Sequence, residues 1–278
     1  MKIHILDCGY IRIGKKLLDC GGRFSTNLAK AMMTPDSDRV TLPVCAYLIE
    51  HSSGLYLVDT GWSREISPSG VYDRSAARKV LPEHLAAMYR PFVPAGMTVR
   101  EQLSARGIMP GDLKAVLITH FDADHVAGLR SVSGAKSILV PEDEAYWSVR
   151  TKYRIRQIRE LWETVDYKRL FYRGFQLGPA NKGIDISGDG SIMMVSLPGH
   201  TDGQAGVLLK EGGRYVLIAG DAALSSHNWE SMSPSGFGAE EALQKKTLRW
   251  LAETAKDPFC VKILCSHDAD MCNGTVEL

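Results

Sequence analysis

The chain has 278 residues, 45% hydrophobic and 23% charged, with a formal net charge of +1. That length can bury a sizeable core as one large domain or two small ones, and the composition reads as an ordinary soluble globular protein. Near-neutral charge excludes a global field that draws in nucleic acid or an anionic membrane, and no apolar run approaches the ~18 residues of a membrane helix.

The opening run KIHILDCG alternates as a strand and lacks the apolar core of a signal peptide, so a cytoplasmic location is expected. PVCAYLIE and LYLVDTG read as further strands, the second ending at Asp59, a hydrogen-bond acceptor at a turn or behind a site. From Ser63 to Pro94, with Pro68, Pro82, Pro91 and Pro94, the pattern is least regular; a loop or helical insertion over a site is expected there. In MTVREQLSARGI, Thr98 followed by Glu101 predicts a capping box, and Gly107 suits the helix end. AVLITH is an apolar strand that stops at His120 and runs into Asp122, Asp124 and His125. After the strand SILVP, the run PEDEAYWSVRTKYRIRQIRELWETV predicts one helix with proline and acids at its start. Its Lys152, Arg154, Arg156 and Arg159 read as a solvated or rim-facing surface.

Three more apolar strands end on a polar residue. SIMMVSLPG delivers His200, YVLIAGD delivers Asp221, and VKILCSHD delivers His267, with AGVLLK another strand between the first two. GAEEALQKKTLRWLAETAKD predicts a helix with Leu243, Leu248, Leu251 and Ala255 on one face. The six cysteines (Cys8, Cys20, Cys45, Cys260, Cys265, Cys272) form no C-x-x-C pair and are expected to be reduced, buried small hydrophobes. Interleaved strands and helices without a composition break predict one layered α/β domain over residues 1–278.

Jointly His120, Asp122, Asp124, His125, His200, Asp221 and His267 are enough ligands for two metal ions with positions left for water. The run H-x-[HD]-x-D-H, then a histidine after Pro-Gly, an aspartate after an apolar strand and a late histidine, resembles the metallo-β-lactamase superfamily. LPVCAYLIEHSSGLYLVDTG, PSGFGAEEALQKKTLRWL and ILCSHDAD resemble its N-acyl homoserine lactone lactonases, which are quorum-quenching enzymes. The resemblance implies an αββα sandwich with two metals at one edge between the sheets. His120, Asp122 and His200 would hold one ion, Asp124, His125 and His267 the other, and Asp221 would bridge them. Zinc is the metal the family implies.

Two residues depart from the lactonase pattern. Asp122 stands where the lactonases carry histidine; as a ligand it makes the set more anionic and shifts preference towards Mn²⁺ or Fe²⁺, the alternative being that it swings away to hydrogen-bond behind the ligands. Leu224 stands where they carry tyrosine, and leucine donates no hydrogen bond. His227, three residues on, reads as a surface-loop histidine. Among aromatics, Trp62 and Phe237 are the pocket candidates; Tyr72, Tyr89, Phe92, Phe121, Trp147 and Trp229 read as core.

The expected function is a metal-dependent hydrolase attacking a lactone or ester carbonyl with a metal-bridged hydroxide, Asp124 helping to move the proton. The competing readings are a phosphodiesterase or iron redox protein on the same fold, or a non-catalytic binder of lactones or acyl compounds. The expected partner is a small molecule, with neither nucleic acid nor membrane; oligomeric state is left open, a dimer included.

Overall fold

The computed structural model describes residues 1–271 and 273–278, so Cys272 lies outside the described residues. The described strands are β1 (Lys2–Gly14), β2 (Arg39–His51), β3 (Gly54–Val58), β4 (Leu113–Leu117), β5 (Ile138–Pro141), β6 (Lys168–Leu170), β7 (Gly183–Asp185), β8 (Ile192–Ser196), β9 (Ala205–Glu211), β10 (Arg214–Gly220), β11 (Cys260–Cys265) and β12 (Gly274–Glu277). They form two sheets, ordered β12-β1-β2-β3-β4-β5-β6 and β11-β10-β9-β8-β7.

Period-two alternation explains how the sheets stack. On β2, Cys45, Tyr47 and Ile49 pack with Val58, Leu117, Val207 and Ile218 between the sheets. The intervening Val44, Ala46 and Leu48 face helices on the other side. On β10, Val216 and Ile218 point into the central layer, whereas Leu217 and Ala219 meet Trp229, Leu248 and Leu251 beyond. Three apolar cores thus separate four layers in the order helix, sheet, sheet, helix, the expected αββα sandwich.

The helices are α1 (Phe24–Met32), α2 (Arg74–Val80), α3 (Glu83–Tyr89), α4 (Val99–Ala105), α5 (Ala123–Val126), α6 (Glu142–Ser148), α7 (Ser226–Glu230) and α8 (Glu241–Thr254). The capping box on α4 forms as predicted: Glu101 N donates to Thr98 Oγ1 and Thr98 N to Glu101 Oε2. On α8 Leu248 and Leu251 are buried, but Ala255 lies past the helix end and is exposed. No helix among the described residues is long and apolar enough to cross a membrane.

Two expectations are corrected. The helix predicted from Pro141 onward stops at Ser148, and short 3-10 turns at Thr151–Tyr153 and Arg159–Leu161 replace the rest. The reason is burial of charge: Arg156 is 2% exposed and turned inward onto Asp122, not set on a solvated surface. The cysteines also divide, with Cys8, Cys45 and Cys265 buried but Cys20 exposed and Cys260 half-buried; none of these five is bridged.

Candidate metal centre

Strand direction brings the polar strand ends together. β3 and β4 run parallel, β10 and β11 run parallel, and β8 reaches the same sense through two antiparallel steps. Their C-terminal ends therefore share one edge of the sandwich. There β3 releases Asp59, β4 leads to His120, β8 to His200, β10 to Asp221 and β11 to His267. Asp122 stands at the N-terminal boundary of the short helix α5, which carries Asp124 and His125, without a side-chain capping bond. Hydrogen bonds Ala205 N to Thr119 O (3.0 Å), Cys45 N to Ser266 O (2.9 Å) and His267 Nδ1 to Pro43 O (2.7 Å) join the two sheets at this edge.

The loop that delivers His200 depends on glycine. A Cβ at Gly203 would lie 2.2 Å from the Glu144 backbone nitrogen, so only glycine lets this loop touch the start of α6.

The structure brings all seven sequence-chosen residues into one cluster, none more than 4% exposed. They fall into overlapping groups: His120 with Asp122 and His200; Asp124 with His125 and His267; and His120 with His125 and Asp221. In the second group Nε2 of His267 lies 3.4 Å from Asp124 Oδ2 and 3.1 Å from Asp221 Oδ2. Nε2 of His125 lies 3.2 Å from Asp221 Oδ1 and 3.9 Å from Asp124 Oδ2. Tetrahedral ligands on bonds of about 2.1 Å stand ~3.4 Å apart, so these spacings suit one ion such as zinc. Three of the converging atoms, His120 Nε2, His125 Nε2 and Asp221 Oδ1, have no hydrogen-bond partner. Buried polar atoms left unpaired are costly, and a cation satisfies them. Imidazole and carboxylate donors with free lone pairs aimed at a common point fit a divalent metal.

Asp59 holds the imidazoles in that posture, as an acceptor behind the site. Its Oδ1 accepts from Thr119 N and its Oδ2 from Thr119 Oγ1 and His125 Nδ1, all at 2.8 Å. Thr119 Oγ1, having donated to Asp59, accepts from His120 Nδ1 at 2.9 Å. Both rings are therefore anchored through Nδ1 and turn Nε2 inward.

Charge in the cluster is unevenly distributed. Burial raises the Asp122 carboxyl, but the Arg156 guanidinium, aided by His200 and His120, outweighs burial and holds it far below the usual range. Burial lowers His267, yet Asp221 and Asp124 reverse that and lift its imidazole to about 10. His125 is lifted the same way against burial, by Asp221, Asp59 and Asp124. Burial, with His125 beside it, keeps His120 well below its ordinary value.

Arg156 is the residue that sequence reasoning missed. Its Nε lies 3.0 Å from both Asp122 oxygens, and its Nη2 donates to Asp122 Oδ2 and lies 2.6 Å from His200 Nε2. A signal existed: an aspartate among buried ligands calls for a cation, and the nearest basic run downstream contains Arg156.

Tyr89, expected in the core, lines a cavity of about 10 Å³ with Asp124, His200, Asp221, Leu224, Phe237 and His267. That is room for roughly one water. Tyr89 stacks on Phe237 at 6.3 Å. Burial, together with Asp122 and Asp124, raises its phenol well above the ordinary value, so it keeps its proton. The segment expected to lie over a site forms α2 and α3, and α3 carries Tyr89. Trp62 is fully buried core, edge-on to Tyr89, while Phe237 does reach the cavity. His227 sits on α7 facing solvent, 3.7 Å from Asp19.

The metallo-beta-lactamase superfamily model matches residues 39–255. A probable metallo-hydrolase of Mycobacterium tuberculosis is 29% identical over 245 residues, covering 81% of this chain and 74% of the relative. The N-acyl homoserine lactonase AttM of Agrobacterium fabrum is 24% identical over 237 residues, covering 82% of this chain and 83% of the relative. Among solved structures, an N-acyl homoserine lactone hydrolase with N-hexanoyl-L-homoserine at its catalytic metal centre aligns with TM-score 0.74 and 20% identity. That alignment covers 97% of this chain and 94% of the other. AidC, a dizinc quorum-quenching lactonase, aligns with TM-score 0.65 and 14% identity, covering 99% and 90%. These two structures speak for the fold alone. A family model spanning most of the chain, over a cluster built to hold metal, leads to one assignment: the chain belongs to the metallo-beta-lactamase superfamily and is one of its hydrolases.

Proposed function

We propose that the chain is a metal-dependent lactonase or esterase, opening a lactone or linear ester at the strand-end cluster. The observation that carries this reading is the convergence of free Nε2 and carboxylate atoms beside an apolar cavity walled by Leu224, Phe237 and Tyr89. Asp124, His125, His267 and Asp221 would hold a divalent ion, zinc suiting these donors best. Such an ion, when bound, polarises a carbonyl oxygen and makes water acidic enough to attack.

The side chains supply the rest. Asp124 lines the cavity and is the carboxylate that accepts the proton of the attacking water. Tyr89, protonated and facing the same cavity, supplies the hydrogen bond to the developing oxyanion that Leu224 cannot give. Phe237 and Leu224 exclude water and pack the acyl portion. Because the cavity has space for about one water, a substrate carbonyl reaches the cluster only when one of its apolar walls gives way.

N-acyl homoserine lactones are the first substrates to try, since AttM, at 24% identity, carries that activity in its name. The test is a screen of lactones, linear esters and phosphodiesters with protein loaded separately with Zn, Mn, Fe or Co. Lactone or ester turnover that disappears on chelation and returns with metal is expected. Full activity in metal-verified apoprotein, or turnover of phosphodiesters alone, would refute the proposal.

A further inference from the structure

We infer that the Arg156 guanidinium takes the place of one of two metal ions, so that this centre holds a single divalent cation at its Asp124, His125, His267 and Asp221 end. The inference rests on the metal-centre reading above and deepens it.

The atoms that compete are explicit. An ion in the first group would need Asp122 Oδ2, His200 Nε2 and His120 Nε2. Arg156 Nη2 already donates to Asp122 Oδ2 and lies 2.6 Å from His200 Nε2. An imidazole nitrogen has one lone pair, and it cannot serve an N–H and a metal together. The Nε2 of His200 is 3.0 Å from Asp122 Oδ2, a separation that an ion could bridge, but Nη2 of Arg156 already contacts both atoms.

Arg156 is also held in place. Its Nη1 donates to the carbonyls of His200 at 3.1 Å and Phe237 at 2.6 Å, and the guanidinium carbon lies 4.9 Å from the Phe24 ring centre. Leaving would break these bonds and strand the Asp122 carboxylate without a partner in the interior. Arginine cannot escape by losing its proton. Charge points the same way: the guanidinium neutralises Asp122, and a dication beside it would face a fixed positive charge.

The other end is free of such competition. No Lys or Arg bonds to Asp124, His125, His267 or Asp221 among the described residues, and His125 Nε2 and Asp221 Oδ1 remain without hydrogen-bond partners. Asp124 and Asp221 together match the charge of one dication.

The deciding measurement is metal stoichiometry. The wild-type chain is stripped with chelator, reloaded with Zn²⁺ alone, freed of loose metal and assayed by elemental analysis, with X-ray absorption for a metal–metal distance. One zinc per chain and no metal–metal scattering are expected. Two tightly held zinc ions with a metal–metal signal would overturn the inference while leaving the metal-centre reading intact. Zinc that never binds would remove the reading itself, and the inference with it. The double variant Asp122→His, Arg156→Met removes both members of the buried pair, so no lone charge is left inside. With its fold checked by circular dichroism, it should rise from one zinc to two; a folded variant that stays at one would show that Arg156 is not what excludes the second ion.

Discussion

Asp59→Asn tests how the imidazoles of the cluster are held. Asp59 is fully buried and sits at φ 56°, a left-handed conformation that asparagine also adopts, so the backbone tolerates the change. The carboxylate accepts three hydrogen bonds, one on Oδ1 from Thr119 N and two on Oδ2 from Thr119 Oγ1 and His125 Nδ1. An amide that keeps its oxygen on Thr119 N turns its NH₂ against two donors; the flipped amide opposes one. At about 1.5–3 kcal/mol for each hydrogen bond to a charged group, the loss is roughly 2–6 kcal/mol. His125 and, through Thr119, His120 would lose their fixed orientation, and outer partners of this kind contribute about 10–100-fold to metal affinity. Urea unfolding of the stripped variant and zinc competition against a chelating dye read the two effects separately. Unchanged zinc affinity, with a stability loss under about 0.5 kcal/mol, the size of an ordinary surface change, would refute the argument.

Three further outcomes are expected. Tyr89→Phe should lower kcat about 10²–10³-fold on whichever lactone or ester is turned over, with zinc content unchanged; an unaltered kcat would remove Tyr89 from the reaction. Burial, with Asp122 adding to it and Thr201, Phe121 and Gln157 opposing, lifts the Glu144 carboxyl from 4.5 to about 7, so the folded chain holds a proton that the unfolded chain releases. The stabilisation is therefore full below about pH 4.5 and is lost as pH rises through 7, by on the order of 3 kcal/mol. Glu144→Gln mimics the protonated form and should be the more stable protein at pH 8 but not at pH 4, as comparison of urea midpoints will read. Gly203→Ala drives a Cβ to 2.2 Å from the Glu144 nitrogen and 2.3 Å from its Cα. Backbone cannot rotate aside as a side chain does, so a loss of about 1–3 kcal/mol or more is expected, visible as a lower Tm; an unchanged Tm would mean that the loop and α6 separate freely.

Two features are legible locally in the sequence: a layered α/β pattern of strands and helices, and the candidate ligands at strand ends. Alternation along β2 and β10 assigns each side chain to one face of its sheet. Apolar strands that each stop at a histidine or aspartate nominate those residues jointly, which is why the sequence singles out His120, His200, Asp221 and His267 as a set that the fold then clusters. The capping box at Thr98 is legible locally as well. Which buried charges meet follows from the folded arrangement alone. Arg156 lies 34 residues from Asp122 in the chain, in a run whose composition favours helix, and no periodicity connects the two. Glu144, read as an ordinary helix-start acid, turns inward to accept from Phe121 N, Gln157 Nε2 and Thr201 Oγ1. Tyr89 reaches the cavity from a segment with no clear pattern. Local periodicity fixes which face a residue buries, but the partner of a buried charge depends on which loops the two sheets bring to a common edge. At that edge the Asp122–Arg156 pair outweighed the helix predicted through residues 149–165 and set a guanidinium where a second metal was expected.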